Sequence, residues 1–214
     1  MTLIVQIILG LVLVFLLVVV GWRLSSRRAS LPCPSWLAWL VELENPFAKN
    51  YNASSIVHHL DLKPGMKVLD AGCGPGRVTI TLAKAVGRTG EVVAIDLQAQ
   101  MLRRAKDKAE AASLTNIKFQ ELPIETGKLG DAQYDRVLLV TVLGEIPDRQ
   151  SALQEIYRAL KPGGLLSITE IMFDPHYQSR QAILRLAGPL GFREKAFFGS
   201  RFAFTLHLEK RMKQ

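Results

Sequence analysis

Val68-Leu69-Asp70-Ala71-Gly72-Cys73-Gly74-Pro75-Gly76 is a short apolar run that passes into a glycine-rich turn. The stretch reads as a strand ending at Asp70, followed by a turn that opens a helix over residues 78–86. Glycines at 72, 74 and 76 let the backbone approach a ligand closely, and the helix N-terminus behind them favours a carboxylate or another anion. A dinucleotide fingerprint, Gly-x-Gly-x-x-Gly, needs glycine at position 77. Arg77 stands there instead, and the third glycine comes one residue early at Gly76. That spacing argues against a nicotinamide or flavin pyrophosphate site.

Working outward from this turn, strand and helix alternate. Val92-Val93-Ala94-Ile95 ends at Asp96, twenty residues past Gly76, and a charged helix follows over residues 98–112. Residues 117–119, 137–140 and 165–169 supply third, fourth and fifth strand candidates. Short continuous apolar strands separated by helices predict a parallel sheet buried on both faces. Residues 192–198 and 202–208 lie on either side of Gly199-Ser200, and Phe202, Phe204, Leu206 and Leu208 alternate strictly. That pattern predicts a terminal antiparallel hairpin whose last strand packs one face inward. A carboxylate where the second strand ends is placed to accept hydrogen bonds from two ribose hydroxyls; a solvated Asp capping the next helix is the plainer alternative for Asp96.

The N-terminus has a different character. Leu3 to Trp22 is a 20-residue stretch whose only clearly polar side chain is Gln6. As a helix it covers roughly 30 Å, about the thickness of a bilayer hydrocarbon core. A cleaved signal peptide is disfavoured, because no Lys or Arg precedes the run and no small-x-small cleavage site follows it. Trp22 leads instead into Arg23, Arg27 and Arg28. An aromatic followed by a basic cluster predicts a single-pass membrane protein with its C-terminal domain on the cytoplasmic side. Residues 1–30 therefore read as anchor and basic flank, 31–50 as a juxtamembrane linker or interfacial helix carrying Trp36 and Trp39, and 51–214 as the globular domain. The formal net charge of +8 suits an anionic lipid surface. No basic run interleaved with aromatics supports a nucleic-acid partner. Cys33 and Cys73 lie far apart and show neither disulfide nor metal-ligand spacing.

The segment from about Asn45 to Lys210 resembles the class I S-adenosylmethionine (SAM)-dependent methyltransferases, particularly the small-molecule branch that includes the ubiquinone/menaquinone-biosynthesis type. The resemblance is carried by the glycine turn, Asp96, Tyr134-Asp135-Arg136-Val137-Leu138-Leu139, Leu143-Gly144-Glu145-Ile146-Pro147-Asp148, Leu160-Lys161-Pro162-Gly163-Gly164, and Gly191-Phe192. It implies a Rossmann-like α/β fold, with a seven-stranded, mostly parallel sheet ending in an antiparallel strand and, in this chain, preceded by one transmembrane helix. It also implies SAM as cofactor. Asp70, Gly72, Cys73, Gly74 and Gly76 would surround the methionine part, Asp96 would bind ribose with Leu97 beside the adenine, and Glu121 would sit near the adenine amino group, with Glu125 as its alternative. Thr141 and Leu143 would lie near the sulfonium.

Methyl transfer is a displacement at carbon, so the protein mainly aligns the reactants and excludes water; a base is needed only if the nucleophile must lose a proton. Glu145, His176 and Tyr177 follow the fourth and fifth strands, at the edge where ligands bind in such sheets, and each is a candidate base or acceptor contact. A surface Glu and a loop His are the plainer alternatives. His58 and His59 are expected on a helix before the first strand, and Tyr51 is a candidate lid. The expected reaction is methylation of a small, hydrophobic or lipid-like acceptor, since a tether would concentrate the enzyme where such molecules dissolve. A non-catalytic SAM-binding membrane scaffold is the second reading, and an NAD-dependent reductase, disfavoured by Arg77, is the third.

Overall fold

The computed structural model describes residues 5–14, 17, 20–21 and 51–211. Residues 5–14 are helical, and their apolar side chains are exposed, Leu11 by 66%. The rest of the expected anchor apart from residues 17, 20 and 21, the basic flank with Arg23, Arg27 and Arg28, and the 31–50 linker with Cys33 lie outside the described residues. Among the described residues, no helix is long and apolar enough to cross a membrane.

The domain runs α1 (Ala53–His59), β1 (Lys67–Ala71), α2 (Thr79–Val86), β2 (Glu91–Asp96), α3 (Ala99–Ala111), β3 (Ile117–Glu121), β4 (Tyr134–Val140), α4 (Arg149–Ala159), β5 (Leu160–Ile171), α5 (Arg180–Ala187), β6 (Phe192–Ser200) and β7 (Ala203–Lys210). One seven-stranded sheet has the order β3-β2-β1-β4-β5-β7-β6. The first five positions are parallel, and β7 is antiparallel to both β5 and β6.

Burial explains the layering. Val68, Val92 and Leu138 face Ile56, Leu82 and Val86 of α1 and α2, while Leu69, Val137, Leu139 and Ile168 face Leu153, Ile156 and Ile183 of α4 and α5. Each such fully buried Leu or Ile contributes roughly 1.5–3 kcal/mol relative to exposure. α4 begins where Asp148 accepts from the Ser151 N–H (3.0 Å) and from its hydroxyl (2.6 Å), an N-cap that satisfies one otherwise unpaired donor.

Two expectations are corrected. The fifth strand, expected over residues 165–169, takes in the Pro162-Gly163-Gly164 stretch ahead of it. α4 ends at Ala159, β5 starts at once, and Tyr134 pairs with Leu160 while Arg136 pairs with Leu165. The extra residues of β5 bulge outward, with Pro162 and Gly163 exposed. The last strand, expected to bury one face, buries both. β7 is inserted between β5 and β6, so Phe204, Leu206 and Leu208 fill one layer while Thr205 and His207 are covered on the other. Thr205 bonds Thr169 hydroxyl to hydroxyl at 2.9 Å. His207 meets the ring of Phe198, which stacks on His59 at 3.9 Å.

Candidate functional site

The chain leaves β1 toward β2 and β3 on one side, and reaches β4 and β5 on the other. A parallel sheet opens a crevice at such a reversal, beyond the strand C-termini. A cavity of about 350 Å³ lies there, within the range of small-molecule sites.

Its floor is the glycine turn. Gly72 and Cys73 N–H groups both donate to the Ile95 carbonyl (2.8 and 2.9 Å), which draws the turn against the end of β2. Gly72 has φ +75°, and a Cβ there would sit 2.5 Å from the Val142 side chain. Gly74, at φ +53°, faces open space, with nothing within 4 Å of a Cβ placed on it. The turn thus presents bare backbone to the cavity. Gly76 has another task, since a Cβ there would meet Ala105 at 2.8 Å, so this glycine lets α3 pack closely. Asp70 lies beneath the turn, accepting from the Thr79 hydroxyl at 2.6 Å. Burial pushes its carboxyl up to about 6, offset in part by that bond. Cys73 is buried against Ala94 and Leu102, and its thiol is pushed well up by burial.

Asp96 forms the next wall. Its Oδ2 accepts from Gly74 N–H and its Oδ1 from Gln98 N–H, both at 2.8 Å. These bonds fix the carboxylate and leave lone pairs on both oxygens. Burial holds the group above the usual carboxylate range, against the pull of the amides of Gln98, Gly74 and Leu97. Leu97 is 55% exposed at the lip, and Met101, Leu122 and Ile124 complete an apolar slot. Glu121 is exposed and does not line the cavity, whereas Glu125 does. The chain runs along the cleft for several residues after β3 ends, in a single 3-10 turn over Ile124–Thr126, which carries Glu125 to the slot.

The opposite wall is built from the loops after β4 and β5. Thr141 takes φ +55°, an uncommon backbone state for a β-branched residue and a frequent mark of a functional site. Leu143 is fully buried in the core and turns away from the cavity; its neighbour Val142 lines it. Arg149 donates to the carbonyls of Leu143 (3.2 Å) and Gly144 (2.9 Å), clamping the turn that presents Glu145. A Cβ on Gly144 would lie 1.8 Å from the His176 carbonyl oxygen, so the two loops meet through bare backbone. His176 is buried, lines the cavity, and donates its backbone N–H to Asp174 Oδ1 at 2.7 Å. Behind it, Glu170 Oε2 accepts from Gln178 N–H at 3.1 Å, while Oε1 is buried without a partner. Burial pushes this carboxyl up to about 8, and Asp174 and Glu145 push in the same direction.

Of the residues singled out from sequence, Gly72, Gly74, Asp96, Leu97, Thr141, Glu145 and His176 line one cavity. Asp70, Cys73, Gly76 and Leu143 support it from beneath. Tyr177 points elsewhere, its hydroxyl donating to the Arg201 carbonyl at 2.8 Å. His58 is exposed on α1, and neither it nor His59 lines the cavity. Tyr51 stands at the rim. Asp174 and Met101 were missed. Asp174 sits in a loop without a motif, though Met101 is signalled by its place on the first turn of the helix after Asp96.

The donor set fits SAM: bare backbone at Gly74 for its amino-acid end, a fixed carboxylate at Asp96 for a diol, and an apolar slot for a flat base. The pattern match agrees. A family model described as "Methyltransferase domain" matches residues 62–190. The demethylmenaquinone methyltransferase of Staphylococcus aureus strain MRSA252 is 41% identical over 120 residues, 54% of this chain and 47% of that one. The chain spans about half the length of the curated relatives it matches. Among solved structures, a SAM-dependent methyltransferase from Aquifex aeolicus superposes with a TM-score of 0.73 at 22% identity, covering 84% of this chain and 100% of that one. Magnesium protoporphyrin IX methyltransferase from Synechocystis PCC 6803, with bound SAM, gives 0.63 at 23% identity over 78% of this chain and 81% of its own. At these identities the two structures show the fold.

Proposed function

Because the chain belongs to the methyltransferase domain family, we propose that it transfers a methyl group from SAM to a small hydrophobic, quinone-like or lipid-like acceptor. The observation that carries this reading is the pairing of the open Gly74 backbone with the Asp96 carboxylate at the β1/β4 crevice. When bound, SAM supplies a methyl carbon on a sulfonium, which leaves as a neutral thioether with the electron pair of the breaking bond. Asp96 accepts from the ribose hydroxyls, and the glycine turn holds the amino-acid end. Val142, Ile146 and Pro147 exclude water from the acceptor side, which leaves alignment as the main source of rate. Where the acceptor is a hydroxyl, its oxygen would bond the methyl carbon and its proton would pass to Glu145 or His176, which line that wall together with Asp174.

The quinone-like acceptor is supported by the name of the Staphylococcus relative and by the apolar wall. Membrane attachment is supported by the apolar stretch Leu3–Trp22, the basic residues after it, and the exposure of residues 5–14. Attachment would place the domain on the cytoplasmic side. The test is transfer of tritiated methyl from SAM by the full chain, in detergent, to a water-insoluble hydroquinone and to a membrane lipid extract. Label in the organic phase is expected. A chain that binds SAM but labels neither would contradict the proposed acceptor class.

A further inference from the structure

Phe173 is 83% exposed and Phe202 is 51% exposed. Their loops are joined, because the Met172 N–H donates to the Phe202 carbonyl at 2.7 Å, one step beyond the last β5–β7 pair, Ile171 with Ala203. The Arg201 guanidinium lies 4.9 Å from the centre of the Phe202 ring. The bond from Tyr177 to the Arg201 carbonyl fixes this hairpin tip against the loop that follows Phe173. That same loop carries Asp174, Pro175 and His176 into the cavity wall. One exposed apolar side chain needs no explanation. Two phenylalanines on bonded loops, with an arginine beside one ring and Phe173 next in sequence to the cavity-lining Asp174, form a directed surface.

We propose that Phe173 and Phe202 form a foot that enters the interfacial layer of a lipid bilayer, with Arg201 among the headgroups, and so seats the cavity mouth on the membrane. Aromatic rings and basic side chains share the depth of that layer. A net charge of +8 draws the chain to anionic headgroups and repels a second copy, which favours lipid over self-association as the occupant. The foot rests on the membrane part of the reading above and extends it from a tether to an orientation, so that an acceptor could pass from bilayer to cavity without crossing water.

The test uses the full chain with Cys33→Ser and a nitroxide at Phe173→Cys, at Leu9→Cys or at Arg88→Cys; Cys73 is buried and stays unlabelled. Arg88 follows α2, at the sheet edge opposite the cavity. Collision of each label with oxygen, which concentrates in lipid, and with a nickel chelate, which stays in water, is read before and after adding phosphatidylcholine/phosphatidylglycerol vesicles. The foot predicts a severalfold rise in the oxygen-to-nickel ratio at 173, weakened by Phe202→Ser, and no change at 88. A lipid-like label at 9 with a water-like label at 173 would overturn the foot and leave the tether standing. The reverse pattern would support the foot and remove the tether. Water-like labels at both sites would overturn both. Shielding of 173 from both reagents before vesicles are added would assign the surface to a second copy and overturn the foot. No outcome depends on methyl transfer.

Discussion

Arg77 holds Tyr51 at the rim of the cavity by two contacts: its Nη1 donates to the Tyr51 carbonyl at 2.8 Å, and its guanidinium lies 4.4 Å from the ring centre. The residue that breaks the dinucleotide fingerprint is thus the one that fixes Tyr51 in the cavity wall. Arg77→Leu should free Tyr51 and weaken SAM binding by roughly twofold to thirtyfold, the scale of the about 0.5–2 kcal/mol cation–π contact that is lost. Tyr51→Ala should weaken it similarly. Titration calorimetry on both variants checks this, and the two changes combined should cost little more than either alone.

Gly144→Ala must displace the His176 carbonyl, which lies 1.8 Å from the new Cβ position. Backbone cannot yield as a flexible side-chain end does. The expected cost is about 1–3 kcal/mol, a fall in melting temperature of roughly 3–10 °C for a domain of this size. A melting curve within about 1 °C of the parent would show that the two loops do not meet as described.

The Glu170 carboxyl is raised by burial to about 8. Folding therefore retains a proton that the unfolded chain releases near its ordinary 4.5. The stability linked to this proton is complete below pH 4.5 and is lost as pH rises to about 8, a difference on the order of 5 kcal/mol. Glu170→Gln should remove that slope and raise the melting temperature at pH 8 relative to the parent. Equal pH slopes in chemical denaturation of the two proteins would contradict this.

His207 behaves oppositely. Burial, helped by His59, Arg136 and Lys195, lowers it to about 4, and its buried Nε2 has no partner. The unfolded chain takes up a proton near pH 6.5 that the native chain refuses. Stability from this group is full above pH 6.5 and falls toward pH 4, by roughly 3 kcal/mol. His207→Phe keeps a ring against Phe198 and should flatten the acid side of the stability profile between those limits.

The parts of this fold that repeat a local rule were legible in the sequence. The glycine turn, Asp96 at a strand end and the alternation from Phe204 to Leu208 each follow from chain geometry over a few residues, whereas Phe202, expected in the same buried row, lies just before β7 and is exposed. What depends on partners distant in sequence was not. Whether Glu121 or Glu125 reaches the slot is decided by how far the chain runs after β3, and periodicity does not report that distance. Tyr177 is adjacent to a cavity residue in sequence, yet is drawn off by a carbonyl on the β6–β7 hairpin. Likewise, burial of His207 follows from insertion of β7 between two strands, a fact of topology.

SAM binding through the Gly74–Asp96 cradle carries the proposed function. It is tested most directly by calorimetric titration of the full chain in detergent with SAM, S-adenosylhomocysteine and NADH, alongside Asp96→Ala. Saturable binding of the two sulfur nucleosides but not NADH, abolished in a folded Asp96→Ala variant, is the predicted result. A folded parent that binds neither sulfur nucleoside, or that binds NADH instead, would contradict it.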